Sequence, residues 1–100
     1  MTDLLTLTVE DFEPLLHQTL QIRFTHEVTL DAELTEVVRL NSHVDLPRQP
    51  FSFVLTTAQK NEYYPQATFL VVHPEKGELP VFLVPLGPDE KGMRYEAIFT

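Results

Sequence analysis

Four histidines supply the side chains best suited to acid–base or metal chemistry near neutral pH. They are His17, His26, His43 and His73. No two of them have the H-x-H or H-x-x-x-H spacing that brings two imidazoles to one metal ion, and His73 with Glu75 is the nearest approach to a ligand pair. Because a turn histidine beside a proline is usually structural, a hydrolase that uses His43 or His73 with nearby acids is the least favoured of three functional hypotheses.

The remaining reactive side chains also lack the arrangements that catalysis requires. The chain has no cysteine, which excludes thiolate catalysis, disulfides and cysteine-ligated metal centres. Ser42 and Ser52 do not lie in a nucleophile elbow, and the three glycines are too scattered for a phosphate-binding loop. Asp89 and Glu90 lack the regular acid spacing of a calcium loop. The sequence therefore predicts no enzymatic activity and no cofactor.

Tyr63 and Tyr64 are the aromatic residues that could stack on a ligand, because they lie in a polar connection between apolar segments. Packing against the domain's own core is the more frequent use of such tyrosines. If the chain closes into a small barrel, the mouth of that barrel could hold one small molecule. Arg48, Tyr63 and Tyr64 are the candidate pocket, and a small-molecule-binding barrel is the second functional hypothesis.

Composition and charge describe an acidic globular domain. Apolar residues make up 43% of the 100 residues, and 15 acidic residues against 7 basic ones give a net charge of −8. An acidic surface repels phosphate backbones and anionic lipids, so we expect neither nucleic acid nor a membrane as partner, whereas a basic protein would suit it. No apolar run approaches the roughly 18 residues of a membrane helix, and the lack of cysteine favours a reducing compartment. We predict one soluble, cytoplasmic domain spanning residues 1–100.

The elements that position these side chains begin with a short helix. Thr8 is a suitable N-cap with Asp11 three residues later, and Leu7 and Phe12 occupy the positions of a hydrophobic staple. Pro14 removes one internal hydrogen bond and therefore limits the helix. We predict roughly two to three turns that end near residue 18 and lie as a lid over the domain's own core.

From residue 20 onward, apolar residues alternate with polar ones, which is the period of half-buried strands. The pattern predicts about six antiparallel strands, at residues 20–25, 28–40, from 51, 67–73, 79–84 and 93–99. His26 and Glu27 form the first hairpin turn, and the alternation slips at residues 37–40, where a bulge is expected. The predicted fold class is mainly β (α+β), a small barrel or curled sheet with the short N-terminal helix packed on it.

Two of the predicted strands, 67–73 and 79–84, carry apolar side chains on both faces. An antiparallel sheet with one wet face would instead place a polar residue at every second position. The residues of the candidate contact surface are Phe69, Leu70, Val72, Leu79, Phe82 and Val84. The N-terminal helix is the favoured cover for the second face, and a second subunit or a partner protein is the alternative. The leading functional hypothesis is a non-enzymatic protein-interaction or assembly module.

Three segments of the chain resemble a small bacterial family of unknown function. Residues 82–100 read FLVPLGPDEKGMRYEAIFT, which is similar to that family's C-terminal signature FLVPxGPDxxGMxYEAxF. Residues 11–15 (DFEPL) and 48–52 (RQPFS) resemble its N-terminal helix and the entry to its central strand. The family is associated with phage-tail-collar-like proteins, so the resemblance implies an assembly or accessory role. His17 departs from the pattern, which more often has Gly at that position.

Overall fold

The computed structural model describes residues 4–41 and 44–100 of the chain, with only the backbone of Leu5. The strands in these residues are β1 Thr19–Arg23, β2 Thr29–Arg39, β3 Phe51–Thr57, β4 Ala67–His73, β5 Gly77–Pro88 and β6 Met93–Phe99. All neighbouring strands are antiparallel, and they close into a barrel in the order β1-β2-β3-β6-β5-β4. The prediction of a mainly β fold with six antiparallel strands is confirmed. Ser42 and His43, which the sequence singled out, lie outside the described residues.

Closure of the barrel gives every described strand a partner on both sides. Two of the seams are short, because β1 and β4 pair over three residues each and β5 pairs with β6 only near its C-terminal half. The N-terminal half of β5 is held by β4 instead. The described part of the sheet therefore presents no strand edge that is free along its whole length.

The strand boundaries follow the alternation of the sequence closely, and those of β1 and β2 differ from the predicted ranges by one or two residues at each end. β4 and β6 match their predicted ranges, whereas β5 extends at both ends beyond residues 79–84. The bulge in β2 falls between Leu34 and Glu36 rather than at residues 37–40. Thr35, the extra residue, shares a hydrogen bond between its hydroxyl group and that of Thr56 at 3.0 Å. This bond joins the bulged residue to β3. A pattern of apolar residues cannot predict it, because both partners are hydroxyl groups.

The short N-terminal helical segment consists of three 3-10 turns, Leu4–Thr6, Val9–Asp11 and Glu13–Leu15. The predicted capping box is present, since the Thr8 amide donates to the Asp11 carboxylate at 2.8 Å. Pro14 has no backbone N–H, which limits the segment to short turns that end at Leu15 rather than near residue 18. Two residues later, His17 adopts the left-handed backbone that glycine favours, with φ of 70°. The backbone turn at this position is therefore made even though the residue is not glycine.

The helical turns close one end of the barrel through Phe12. The ring of this fully buried residue lies with its centroid 4.7 Å from that of Phe53, 5.9 Å from that of Phe51 and 6.4 Å from that of Phe99. Aromatic rings at such spacings pack favourably beyond the area that they bury. The predicted lid is therefore a plug that enters the end of the barrel.

The opposite end of the barrel is closed by a second aromatic cluster. The Phe24 ring stacks on that of Tyr64 with centroids 4.4 Å apart and meets that of Phe69 edge-on at 4.8 Å. The fully buried Tyr95 ring lies 5.2 Å from that of Phe24. Between the two ends, each strand directs buried side chains into the lumen, including Ile22, Leu34, Leu55, Val71, Leu83 and Ala97. The interior of the barrel is a packed core.

Candidate functional site

The exterior of β4, β5 and β6 carries apolar side chains that the fold leaves partly uncovered. Burial alternates along all three strands, so that every second side chain points away from the core. Apart from Leu86, which lies within the register shift of β5 and is 40% exposed, the large outward apolar residues are Leu70 and Val72 on β4, Pro80, Phe82 and Val84 on β5, and Ile98 on β6. We call these six residues the exterior patch.

The strand register places the residues of the exterior patch beside one another. Leu70 pairs with Pro80 across β4 and β5, and Val84 pairs with Glu96 across β5 and β6. Phe82 and Ile98 lie on the same exterior face, each two residues from the Val84–Glu96 pair at which the ladder between β5 and β6 ends. The patch therefore runs across three strands instead of along one.

The N-terminal segment does not cover this exterior face, so the favoured prediction for its cover is wrong. Phe12, the largest side chain of the segment, is directed into the end of the barrel against Phe53. The side chain of Phe82 is left 51% exposed and that of Ile98 62% exposed. Large apolar side chains at such exposure lie in contact with water, which costs free energy that a second molecule could recover.

Two of the six residues predicted for the contact surface point the other way. Leu79 is fully buried among the core residues of the barrel, so its inclusion in the surface was wrong. Phe69 is half-buried and packs against Phe24 and Tyr64 at the barrel end. The alternation correctly separates Phe69 from Leu70, and closure of the barrel decides which of the two faces the core.

Sequence reasoning missed two members of the exterior patch, Pro80 and Ile98. Pro80 lies on the outward side of β5 and was not considered as a contact residue. Ile98 lies on the same outward face of β6 as Arg94 and Glu96, where a polar residue is expected. An isoleucine in that series was the available signal, but only the order of the strands in the barrel places it beside β5.

Arg48 has a structural position at the end of the barrel that Phe12 closes. Its Nη1 donates to the main-chain oxygens of Leu4 and Leu7, both at 2.7 Å, and its Nε donates to the main-chain oxygen of Thr100 at 3.1 Å. The guanidinium carbon also lies 5.5 Å from the centroid of the Phe99 ring, a cation–π distance. Arg48 therefore joins the first helical turn to the segment after β6.

Tyr63 and Tyr64 lie at the other end of the barrel, so they do not converge with Arg48 on the predicted ligand pocket. The Tyr64 amide donates to the hydroxyl oxygen of Tyr95 at 3.0 Å, and that hydroxyl donates to Oε1 of Gln59 at 2.8 Å. Burial is the main cause that raises the pKa of the Tyr95 phenol above its ordinary value of 10.0. Tyr63 is 59% exposed and lines an open groove of about 360 Å³ beside the end of β5.

His73 uses both of its ring nitrogens inside the fold. The side chain is buried; Nε2 donates to the main-chain oxygen of Asp11 at 2.8 Å, and Nδ1 accepts from the amides of Glu75 at 3.1 Å and Lys76 at 3.2 Å. Since a carbonyl only accepts and an amide only donates, the geometry fixes the neutral tautomer with its proton on Nε2. No ring nitrogen of His73 is left to bind a metal ion or to remove a proton from a substrate.

The other described histidines are on the surface. His17 is exposed, with Nδ1 3.4 Å from a carboxylate oxygen of Glu33, and His26 is exposed in the turn between β1 and β2. Over residues 4–41 and 44–100, no group of three His, Asp or Glu side chains is placed to hold a metal ion. The described histidines therefore do not converge with carboxylates on a reactive centre.

A protein-family model matches residues 7–99, and its description is "domain of unknown function (DUF6916)". The chain belongs to this family. The match spans all six strands of the DUF6916 domain, its second and third helical turns and the whole exterior patch. No curated protein and no solved structure matches the chain. In the part of the DUF6916 domain that the structure describes, no helix has the length and apolar character needed to cross a membrane.

All seven basic side chains of the DUF6916 domain make polar contacts within it. Those in ion pairs with acidic side chains are Arg23, Arg39, Lys76 and Lys91. Those that donate to main-chain oxygens are Arg48, Lys60 and Arg94. The acids in ion pairs with a Lys, Arg or His are Glu10, Asp11, Glu13, Glu33 and Glu78. Because the sequence has 15 acidic residues, the surface retains an excess of carboxylates.

Proposed function

We propose that this domain is a non-enzymatic protein-interaction module that binds its partner through the exterior patch. The supporting observation is that Phe82 and Ile98, on neighbouring strands of a closed barrel, are 51% and 62% exposed. Because only about half of each side chain is still exposed, covering both in a contact recovers about 2–3 kcal/mol. Contiguous exposed apolar side chains on a small domain are typical of contact surfaces.

The mode of contact follows from the closed sheet. Many β-domains bind an extended peptide by adding it as a strand to a free sheet edge. Here each described strand has a neighbour on both sides, and main-chain groups stay unpaired only along parts of strands, such as residues 77–83 of β5 on the side that faces β6. We therefore expect the partner to dock mainly on side chains of the exterior patch. Packing complementarity, and not strand register, then determines which partner fits.

Three further observations support an interaction role over catalysis, ligand binding or nucleic-acid binding. His73 has both ring nitrogens occupied by main-chain groups. In the described residues, core side chains such as those of Leu34, Leu55 and Leu83 occupy the lumen, and a ligand would have to displace them. The seven basic side chains all contact acids or main-chain oxygens of the domain, which leaves phosphate groups without an unengaged basic surface.

The setting of the interaction is proposed from the sequence. The C-terminal resemblance to a family associated with phage-tail-collar-like proteins suggests that the partner is a component of a tail-like assembly. The absence of cysteine favours a reducing compartment, so we propose that the contact forms in the cytoplasm.

Site-specific photo-crosslinking in the source cells tests the proposal. The photoreactive residue p-benzoylphenylalanine is introduced in place of Phe82, and in a control protein in place of Tyr63, an aromatic residue of similar exposure outside the patch. We expect a discrete protein adduct from position 82 and none of that mass from position 63. The adduct should be lost when Ile98→Thr is added, because threonine keeps the strand propensity but removes apolar surface.

Two results would contradict the proposed function. The first is the same set of adducts from positions 82 and 63, which would mean that the patch has no preferred partner. The second is an adduct from position 82 that persists undiminished with Ile98→Thr. Circular dichroism and the urea midpoint of each purified variant show that the barrel is folded, which the exposure of both side chains leads us to expect.

A further inference from the structure

The chemistry of the partner follows from a row of exterior side chains that crosses four strands next to the exterior patch. In register, Glu36 on β2 pairs with Val54 on β3, Val54 with Glu96 on β6, and Glu96 with Val84 on β5. Val54 points outward and is nevertheless only 5% exposed. In register it lies between the two glutamates, so an apolar position separates two acidic positions on this face.

Both carboxylates lack a basic partner in the described residues. No ion pair within residues 4–41 and 44–100 includes Glu36 or Glu96, although every basic side chain of the chain lies in that part. Glu36 is exposed and Glu96 is half-buried. Strand spacing places their backbones about 10 Å apart across β3, so the two charges can act on two basic groups of one segment.

We infer that the exterior patch binds a basic amphipathic segment of another protein. Its apolar side chains cover Phe82, Val84 and Ile98, and its Lys or Arg side chains reach the carboxylates of Glu36 and Glu96. This inference rests on the proposed function and adds the chemistry of the partner. Charge complementarity favours a basic segment, because the domain has a net charge of −8 and each of its basic side chains already contacts an acid or a main-chain oxygen of the domain.

A second copy of the chain fits this surface less well than a basic segment does. Two copies would bring together two domains that each have a net charge of −8, and like-charged surfaces repel one another at close range. Self-association is therefore an outcome that the test must detect.

A selection from a library of random 16-residue peptides, displayed on yeast, tests the inference with the purified domain as bait. Peptides are selected on the natural sequence and counter-selected on the variant Phe82→Thr. We expect the survivors to combine aromatic or aliphatic residues with two or more Lys or Arg residues. Their affinity should fall at least tenfold for the double variant Glu36→Gln/Glu96→Gln and should decrease as salt is raised.

A matched control separates the local effect from that of net charge. Glu27→Gln/Glu62→Gln removes the same charge from two exposed loop residues outside the patch, and we expect it to change the affinity less than twofold. Equal losses for the two double variants would overturn the inference, because attraction would then depend only on total charge.

The remaining outcomes distinguish the inference from the proposed function. Binders that are lost with Phe82→Thr but are neutral or acidic, and that tolerate Glu36→Gln/Glu96→Gln, would overturn the basic partner and leave the interaction module standing. Failure to obtain any peptide that prefers the natural sequence over Phe82→Thr and Ile98→Thr would count against both. Sedimentation that shows a dimer dissolved by Phe82→Thr would identify a second copy as the occupant and overturn the inference.

Discussion

His73 donates its Nε2–H to the main-chain oxygen of Asp11 at 2.8 Å, which joins the end of β4 to the second helical turn. On the other side of the ring, Nδ1 accepts from the amides of Glu75 and Lys76 in the turn that leads to β5. The ring also meets Phe12 edge-on, with centroids 5.4 Å apart. One buried side chain therefore holds both the plug of the barrel and the β4–β5 turn.

Replacement of His73 should destabilise the fold substantially. His73→Leu keeps an apolar side chain of similar size but leaves the Asp11 carbonyl and two amides without their partner. We expect the free energy of unfolding to fall by about 2–3 kcal/mol, the cost of unsatisfied buried polar groups. Urea unfolding measures the change, and His26→Leu in an exposed turn should stay within about 0.5 kcal/mol. Indistinguishable midpoints for the two variants would show that the ring's hydrogen bonds do not support the fold.

The stability of the fold should depend on the guanidinium group of Arg48 and not only on its positive charge. Arg48→Lys retains the positive charge but cannot direct Nη1 and Nε donors at three main-chain oxygens at once. We expect a loss of about 1–2 kcal/mol in the free energy of unfolding. Arg23→Lys, which alters an exposed ion pair with Glu78, should cost less than about 0.5 kcal/mol. A loss no larger at Arg48 than at Arg23 would mean that the three contacts contribute nothing beyond charge.

Gly92 should not tolerate a side chain. A Cβ atom at this position would lie 1.7 Å from the main-chain oxygen of Thr57, and the residue has φ of 151°. We expect Gly92→Ala to cost about 3 kcal/mol or more, since β3 or the β5–β6 turn must move. Gly87→Ala is the control, because its φ of 100° is equally unusual but no atom lies within 4 Å of the added Cβ. Thermal unfolding of both variants measures the difference, and equal losses would show that backbone strain alone governs Gly92.

Tyr95 should make the fold sensitive to alkaline pH. Burial raises the pKa of its phenol above the ordinary value of 10.0, so the unfolded chain loses this proton before the folded chain does. The stability from the neutral phenol is therefore fully present below pH of about 10 and decreases as pH rises from there through the folded-state pKa. We expect urea midpoints to fall more steeply above pH of about 10 for the natural sequence than for Tyr95→Phe. Parallel curves for the two proteins would exclude this linkage.

Loss of the Tyr95 hydroxyl group should also lower the stability of the fold at neutral pH. Tyr95→Phe removes the acceptor of the Tyr64 amide and the donor to Gln59. We expect a decrease of about 1–2 kcal/mol in the free energy of unfolding at pH 7. The change of each urea midpoint with pH is therefore measured from the protein's own value at pH 7.

Local patterns of residues predicted much of the fold because neighbouring residues decide them. The period of two gave the boundaries of β4 and β6, and Thr8 with Asp11 gave the capping box. The position of the bulge at Thr35 escaped prediction, because a bulge is a shift in the register between two strands, and the alternation within β2 alone does not show how β2 pairs with β3. The sequence also could not show whether the candidate pocket exists. Arg48 and Tyr64 are separated along the chain, and only the folded barrel places them at opposite ends.

The sequence by itself determined that this chain makes antiparallel strands, that it is acidic, and that two strands have apolar side chains on both faces. Only the tertiary structure decided that Leu79 enters the core while Phe82 stays outside, and that Ile98 and the unpaired Glu36 and Glu96 border the same exterior surface. The physical reason is that alternation divides the side chains of a strand into two faces but does not show which face points into the barrel. Closure of the sheet assigns one set to the lumen, and the order of strands decides which residues of the other set become neighbours.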